Sequence, residues 1–252
     1  MVFNDLPAGA MFCFGKTKKQ MYNHSTRVLD FYDEPMVWRK TALNGLSVGV
    51  KEVGYASFDH PRLATGTNNY MRAHGHRYYF DSSLNNYLNC FDGSWKTVSE
   101  GDQEPFSDSL DGNGFLSRFS PDEIKLIEPH KMSVEVPVGY NKIYGKTVEK
   151  DVLVGIPSAA QLGSRYSEGE FGILFDRIDS WVTDADTMNK RCVYGNIRRV
   201  GSEHNASIMP VIKIKGDSFV DRDDLGRYII CIPEEEFEGN IAAFLGFEEE
   251  AA

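Results

Sequence analysis

The 252 residues contain no apolar run long enough to span a bilayer, so no membrane insertion is expected. Cysteine is scarce. Cys13, Cys90, Cys192 and Cys231 lie far apart and form no C-x-x-C pair, which argues against a zinc knuckle or a thioredoxin-type site. Their apolar neighbours, in "MFCFG", "YLNCF" and "YIICIP", suit small buried hydrophobes in a reducing compartment. Cations are outnumbered, 27 Lys and Arg against 37 Asp and Glu, for a formal net charge of −10. An acidic surface repels phosphate backbones and anionic membranes, so no nucleic acid is expected as a partner. The short basic stretches "KTKK" at 16–19 and "NIRRV" at 196–200 read as solvated faces.

Chemistry-bearing motifs are equally sparse. His74 and His76 in "RAHGHRYY" could share a metal, but no third or fourth ligand adjoins them, and they read as a polar loop. The acidic stretches "DADTMN" (184–189), "DRDD" (221–224) and "SLDGNG" (109–114) do not match the twelve-residue EF-hand loop. Glycines occur without phosphate-loop spacing, and no Gly-x-Ser-x-Gly elbow is present. The expectation is therefore no catalytic residue, no metal and no cofactor.

Aromatics and glycine are plentiful: 16 Phe, 12 Tyr, 3 Trp and 23 Gly. That mixture suits a β-rich, loop-rich fold better than a helical bundle. "AGAMFCFGK" alternates like a strand and is expected to end in a glycine turn. Asn44-Gly45 between "EPMVWRK" and "LSVGV" signals a hairpin. Residues 61–80 and 96–113 read as long loops. Between them, Leu84, Tyr87, Leu88 and Phe91 follow Ser82 or Ser83 at i, i+3, i+4 and i+7, which predicts a two-turn helix stopped by Asp92-Gly93.

Ser120, Pro121 and Glu123 predict a capping box with proline in the first turn, with Ile124 and Ile127 on the apolar face and Pro129 as the stop. Ser158 and Gln161 repeat the same signal. The remainder reads as short strands, with "GRYIICIP" the most apolar. Trp95, Trp181, Tyr166 and Tyr194 lie in turn-like or strand-edge contexts and are candidates for ligand or partner contact. The competing reading places each of them in or half in the core. In the tail, Ile241, Phe244, Leu245 and Phe247 form a short apolar face between acidic runs. They are candidates for assembly, docking either on their own domain or on a partner.

The order of motifs, "LPAGAMFCFGK", "EPMVWRK", "NNYMRAH", "SSLNNYLNCFDGSW", "GFLSRFSPDEIKLI", "DVLVGIPSAAQLG", "SWVTD" and "NASIMPVIKIKGD", resembles an uncharacterised domain family frequent in Gram-positive bacteria and their phages. Tyr87 stands where the family's "WLNS" has tryptophan, and "IMPVIKI" stands where it has "VRPA". The resemblance runs from about residue 6 to about residue 216. That family in turn is similar to C-type-lectin-like domains. It implies an α+β fold of twisted antiparallel sheets with a few short helices and long loops. It carries over no catalytic residue. The calcium motifs of sugar-binding C-type lectins are not matched by "EPM" at 34–36 or "QEP" at 103–105, which lack the needed asparagine or aspartate.

Two regions are expected: a C-type-lectin-like domain over 1–216, and a strand plus short helical extension over 217–252. The opening residues lack a basic stretch and a continuous apolar run, so no signal peptide is expected. The resemblance and that reading together imply a non-enzymatic phage virion protein, made in the host cytoplasm. It would decorate a head or form part of a tail or fibre. Its expected partners are other virion proteins or its own copies, and a glycan or protein of the host surface. A bacterial ligand-binding or adhesion module is the alternative, and an enzyme of the formylglycine-generating type is a third reading.

Overall fold

The two longest β-favouring runs pair with each other. In the computed structural model, which describes residues 1–23, 25, 27–43, 45–50, 54–59, 78–96, 112–135, 147–164, 167–172, 179–183, 190–193, 196–199 and 205–232, they form an antiparallel hairpin. Its strands are β1 (Met11–Asn23) and β2 (Val28–Lys40). Alternation sends Phe12, Phe14, Met36 and Trp38 into the core. The chain then adds β3 (Leu46–Gly49), β4 (Tyr55–Ser57), β5 (Ile127–Glu128), β6 (His130–Glu135), β7 (Thr147–Val152), β8 (Val154–Gly155), β9 (Gly163–Ser164) and β10 (Ser167–Glu168). The last described strands are β11 (Asp179–Val182), β12 (Lys190–Val193), β13 (Asn196–Arg199), β14 (Asn205–Ser207), β15 (Val211–Ile214), β16 (Val220–Arg222) and β17 (Tyr228–Ile230).

The largest sheet has the order β16-β17-β1-β2-β3-β15-β5, with β8 also paired to β15. A second has the order β13-β12-β11-β14-β4, and β6–β7 and β9–β10 form two small ribbons. Strands β1 and β17 run parallel, as do β11 and β14; among the described residues the other ladders are antiparallel. With three short α-helices among the described residues, this is a mixed α+β fold dominated by antiparallel sheets.

The helices are α1 (Ser83–Leu88), α2 (Pro121–Lys125) and α3 (Ala159–Leu162). Of the two serines offered for α1 the cap is Ser82, and Ser120 and Ser158 cap α2 and α3 as expected. The hydroxyls of Ser82, Ser120 and Ser158 accept hydrogen bonds from the amides of Asn85, Glu123 and Gln161. Helix α1 buries Leu84, Tyr87 and Leu88, with Phe91 half-buried beside them. Removing each such side chain from water contributes roughly 1.5–3 kcal/mol.

Two further contacts fix α1 in place. Asp59, fully buried, accepts from the amide and hydroxyl of Ser83 at 2.9 and 2.7 Å. The amide side chain of Asn89 acts as a strand would: Oδ1 accepts from the amides of Leu153 and Val154, and Nδ2 donates to the Val154 carbonyl.

Three local expectations are corrected. "AGAMFCFGK" does not turn at its glycine. β1 runs on through Gly15 (φ +71°), with a register shift between Cys13 and Lys16. A Cβ there would lie 2.7 Å from Met36 and from the Phe119 ring, so the bulge needs glycine on two counts. The hairpin around Asn44-Gly45 forms, but its last pair is Lys40 with Ser47, so the connection is longer than two residues. Helix α2 stops at Lys125. Ile127 lies in β5, where pairing with Ile214 of β15 overrides its helical spacing.

The core joins both sheets. Phe119 packs against Phe14, Trp38 and Phe115, with centroids 5.4, 6.3 and 5.7 Å away. A second, smaller cluster holds Val48, Leu162, Phe171, Val182, Met209 and Val211.

The first residues are stitched into the last described strands. Phe3 and Asn4 amides donate to the Ser218 and Gly216 carbonyls, and the Val220 amide donates to the Met1 carbonyl. Lys40 holds the same turn from below. Its buried ammonium donates to the carbonyls of Phe3, Asn4 and Leu6 at 2.8, 2.9 and 2.6 Å. The boundary drawn at residue 216 therefore falls inside one sheet. Strands β16 and β17 belong to it, and Val220 and Ile230 lie in the main core.

Candidate binding cleft

A cleft of about 460 Å³ opens between the β1–β2 hairpin and the segment that leads into α2. The hairpin supplies Lys16, Thr17 and Lys18, just past the Gly15 bulge, and Asp33 of β2. Bulges bend a strand and re-aim the side chains beyond them. The facing wall is Gly112 and Asn113, then the 3₁₀ turn Phe115–Arg118, then Phe119, Ser120 and Glu123. Phe119 is buried, so one wall of the cleft is tied to the core.

Glu123 joins the two sides. Its Oε2 accepts from the Ser120 amide at 2.7 Å, closing the capping box. Its Oε1 accepts from the Gly15 amide at 3.0 Å, so the carboxylate that caps α2 also fills the bulge in β1. Arg118 is held as firmly. Its Nη1 donates to Thr17 Oγ1 at 2.7 Å and its Nη2 to the Tyr87 hydroxyl at 3.4 Å. Its guanidinium carbon stands 5.4 Å from the centre of the Phe115 ring. Asp33 is the cross-strand neighbour of Lys18. Among the described residues, Lys16 and Lys18 are exposed and make no ion pair.

The aromatic candidates part company with this cleft. Trp181 is fully buried: its ring meets the Phe58 ring at 5.4 Å and its Nε1 donates to the Ala56 carbonyl at 2.8 Å. Trp95 is 4% exposed, packs edge-on to Tyr87 at 4.9 Å and donates from Nε1 to the Gly112 carbonyl. Both are core residues, and the contact role assigned to them is withdrawn. Polar neighbours made them look exposed, but each indole N–H finds a backbone acceptor inside. Tyr166 and Tyr194 lie outside the described residues, as do Ile241, Phe244, Leu245 and Phe247, and His74 and His76.

Among the described residues there is no group of three or more His, Cys, Asp or Glu side chains placed to hold a metal. In the acidic stretch at 221–224, Asp223 is taken up by a turn. Its carboxylate accepts from the amides of Leu225 and Arg227 and from the Arg227 guanidinium, which holds its pKa below the ordinary carboxylate value.

No protein-family model matches the chain, nor does any curated protein or any solved structure. No described helix is long and apolar enough to cross a membrane.

The sequence assigned Lys16 and Lys18 to a solvated face and gave Arg118 no role. The signal was present for the first two: "KTK" places cations at i and i+2 on a strand. Arg118 carried no signal of its own, because its partners Thr17 and Tyr87 are remote in sequence.

A titratable group outside the cleft sets a pH dependence. His130 of β6 is buried, and its Nδ1 has no hydrogen-bond partner among the described residues. Burial, and next the Lys213 ammonium, push its pKa down from 6.5 to about 4, against a weaker upward pull from Asp151. The unfolded chain therefore takes up a proton near pH 6.5 that the folded chain refuses until about pH 4. Stability contributed by neutral His130 is present above pH 6.5 and is lost as pH falls toward 4, by about 3 kcal/mol in all. Urea unfolding of the wild type and His130→Gln at pH 7 and pH 4.5 checks this. The variant should lose markedly less stability between the two; equal losses would clear His130 of the effect.

Proposed function

We propose that this chain is a non-enzymatic phage virion protein of C-type-lectin-like type, a head decoration or a tail or fibre component, that meets a host-surface ligand with the cleft described above. The observation that carries the binding reading is the cleft itself. It has polar and charged side chains, and its walls are fixed by the Glu123 bridge and by the anchored Arg118. Binding groups placed on rigid elements lose little entropy when they engage. The virion reading is supported by the series of motifs from "LPAGAMFCFGK" to "NASIMPVIKIKGD". Short capped helices packed on antiparallel sheets are compatible with it.

Mass spectrometry of gradient-purified particles from the phage that encodes the chain tests the virion assignment. The chain should be found at a fixed copy number per particle. Its absence from washed particles would overturn the assignment and leave a bacterial binding module as the reading of the same cleft.

A further inference from the structure

We propose that the cleft takes an anionic saccharide, a polyhydroxylated ligand bearing a single carboxylate or phosphate group. This rests on the binding reading above and adds the charge of the ligand to it. The chain as a whole carries a net charge of −10 and repels anions. In the cleft the balance reverses: Lys16, Lys18 and Arg118 face Asp33 and Glu123.

The two carboxylates differ. Glu123 is committed, since each of its oxygens already accepts a backbone amide, from Gly15 and from Ser120. Asp33 is exposed at the mouth, one strand over from Lys18. Its carboxylate would repel a second negative charge and would accept hydrogen bonds from hydroxyls. A ligand with one anionic group and several hydroxyls matches that pair of demands. Its anion would sit toward Lys16, Lys18 and Arg118, and its hydroxyls toward Asp33 and the Asn113 amide.

Arg118 is suited to the anion because its guanidinium is already oriented, by Thr17, Tyr87 and the Phe115 ring. Its terminal nitrogens already donate within the protein, so it contributes a fixed positive charge beside the anion rather than a bidentate pair. Lys16 and Lys18 add charge without fixed geometry. The volume of about 460 Å³ lies within the range of small-ligand sites.

Calorimetric titration of the full chain tests the inference with five probes: a trisaccharide carrying one uronic acid, a sugar phosphate, a neutral trisaccharide, and inorganic phosphate and acetate as bare anions. The charged saccharides should bind about tenfold or more tightly than the neutral one, and less tightly as salt rises. Whichever of the two binds better identifies the anionic group. The double variant K16Q/K18Q should weaken that binding about tenfold with the same melting temperature, and Lys131→Gln, at an exposed lysine outside the cleft, should not weaken it. A neutral trisaccharide that binds equally well would overturn the charge assignment and leave the binding reading standing. Bare phosphate or acetate binding as tightly as the charged saccharides would overturn the saccharide part. No binding by any saccharide would overturn the inference and the binding reading together.

Discussion

Trp181→Ala should destabilise the protein by about 4 kcal/mol, as removal of a buried indole does. The ring is fully buried, meets Phe58 edge-on and spends its N–H on the Ala56 carbonyl. Truncation leaves a large cavity and removes a buried hydrogen bond, two costs that add. For a chain of this length the melting temperature should fall by about 10 °C. Trp181→Phe, which refills part of the cavity, should lose less. Urea unfolding of the three proteins decides the matter. A shift under about 0.5 kcal/mol for the alanine variant is what a surface residue gives, and it would put Trp181 back among the contact candidates.

A second substitution should cost as much through the addition of one methyl group. Gly114 has an ordinary extended backbone (φ −70°), so its glycine is not needed for conformation. It is needed for space: a Cβ there would lie 2.1 Å from the Cys90 carbonyl oxygen and 2.4 Å from its carbon. That obstacle is backbone and is locked in place. The Leu116 amide donates to the Cys90 carbonyl, and the Gly114 amide donates to that of Asp92. Gly114→Ala should therefore part the end of α1 from the turn leading into α2, at a cost of about 4 kcal/mol or more. Gly112→Ala is the control two residues away, where a Cβ meets nothing within 4 Å. It should stay within about 0.5 kcal/mol of wild type. Thermal unfolding of both variants is the measurement. Equal melting temperatures would show that the two segments are not packed as described.

The contrast between these positions and the helix starts shows what could be read in advance. The caps at Ser82, Ser120 and Ser158 were legible because a cap is a contact over three residues, wholly contained in a short stretch of sequence. The closeness of Gly114 to Cys90 was not, because nothing in "GNGF" names the carbonyl it must clear.

Trp181 was misread for a related reason. "DSWVTD" looks like a half-exposed strand, yet Ser180, Trp181 and Val182 are all buried. Strand β11 lies between β12 and β14, and its two faces meet different cores: Trp181 belongs to the main cluster and Val182 to the smaller one. A strand covered on both faces gives no alternation to read.

The cleft was illegible as a whole. Its walls come from residues near 17, 33 and 118, and their meeting depends on Glu123 reaching across to the amide of Gly15. The β-rich, helix-poor character of the fold was visible in composition, whereas the sheet order was not.

The parallel pairing of β1 with β17 has a kinetic consequence. Phe12 finds its partner only at Tyr228, and the first turn is closed by Gly216, Ser218 and Val220. A chain leaving the ribosome carries β1 with one edge unpaired until almost all of its described strands have been made. Loop-closure entropy must be spent across that whole length before the contact rewards it, so folding is slow compared with a protein built from local hairpins. Throughout that interval the edge of β1 at Phe12 and Cys13 stands open to any other strand, which makes nascent chains of this protein prone to pair with one another before they pair with themselves.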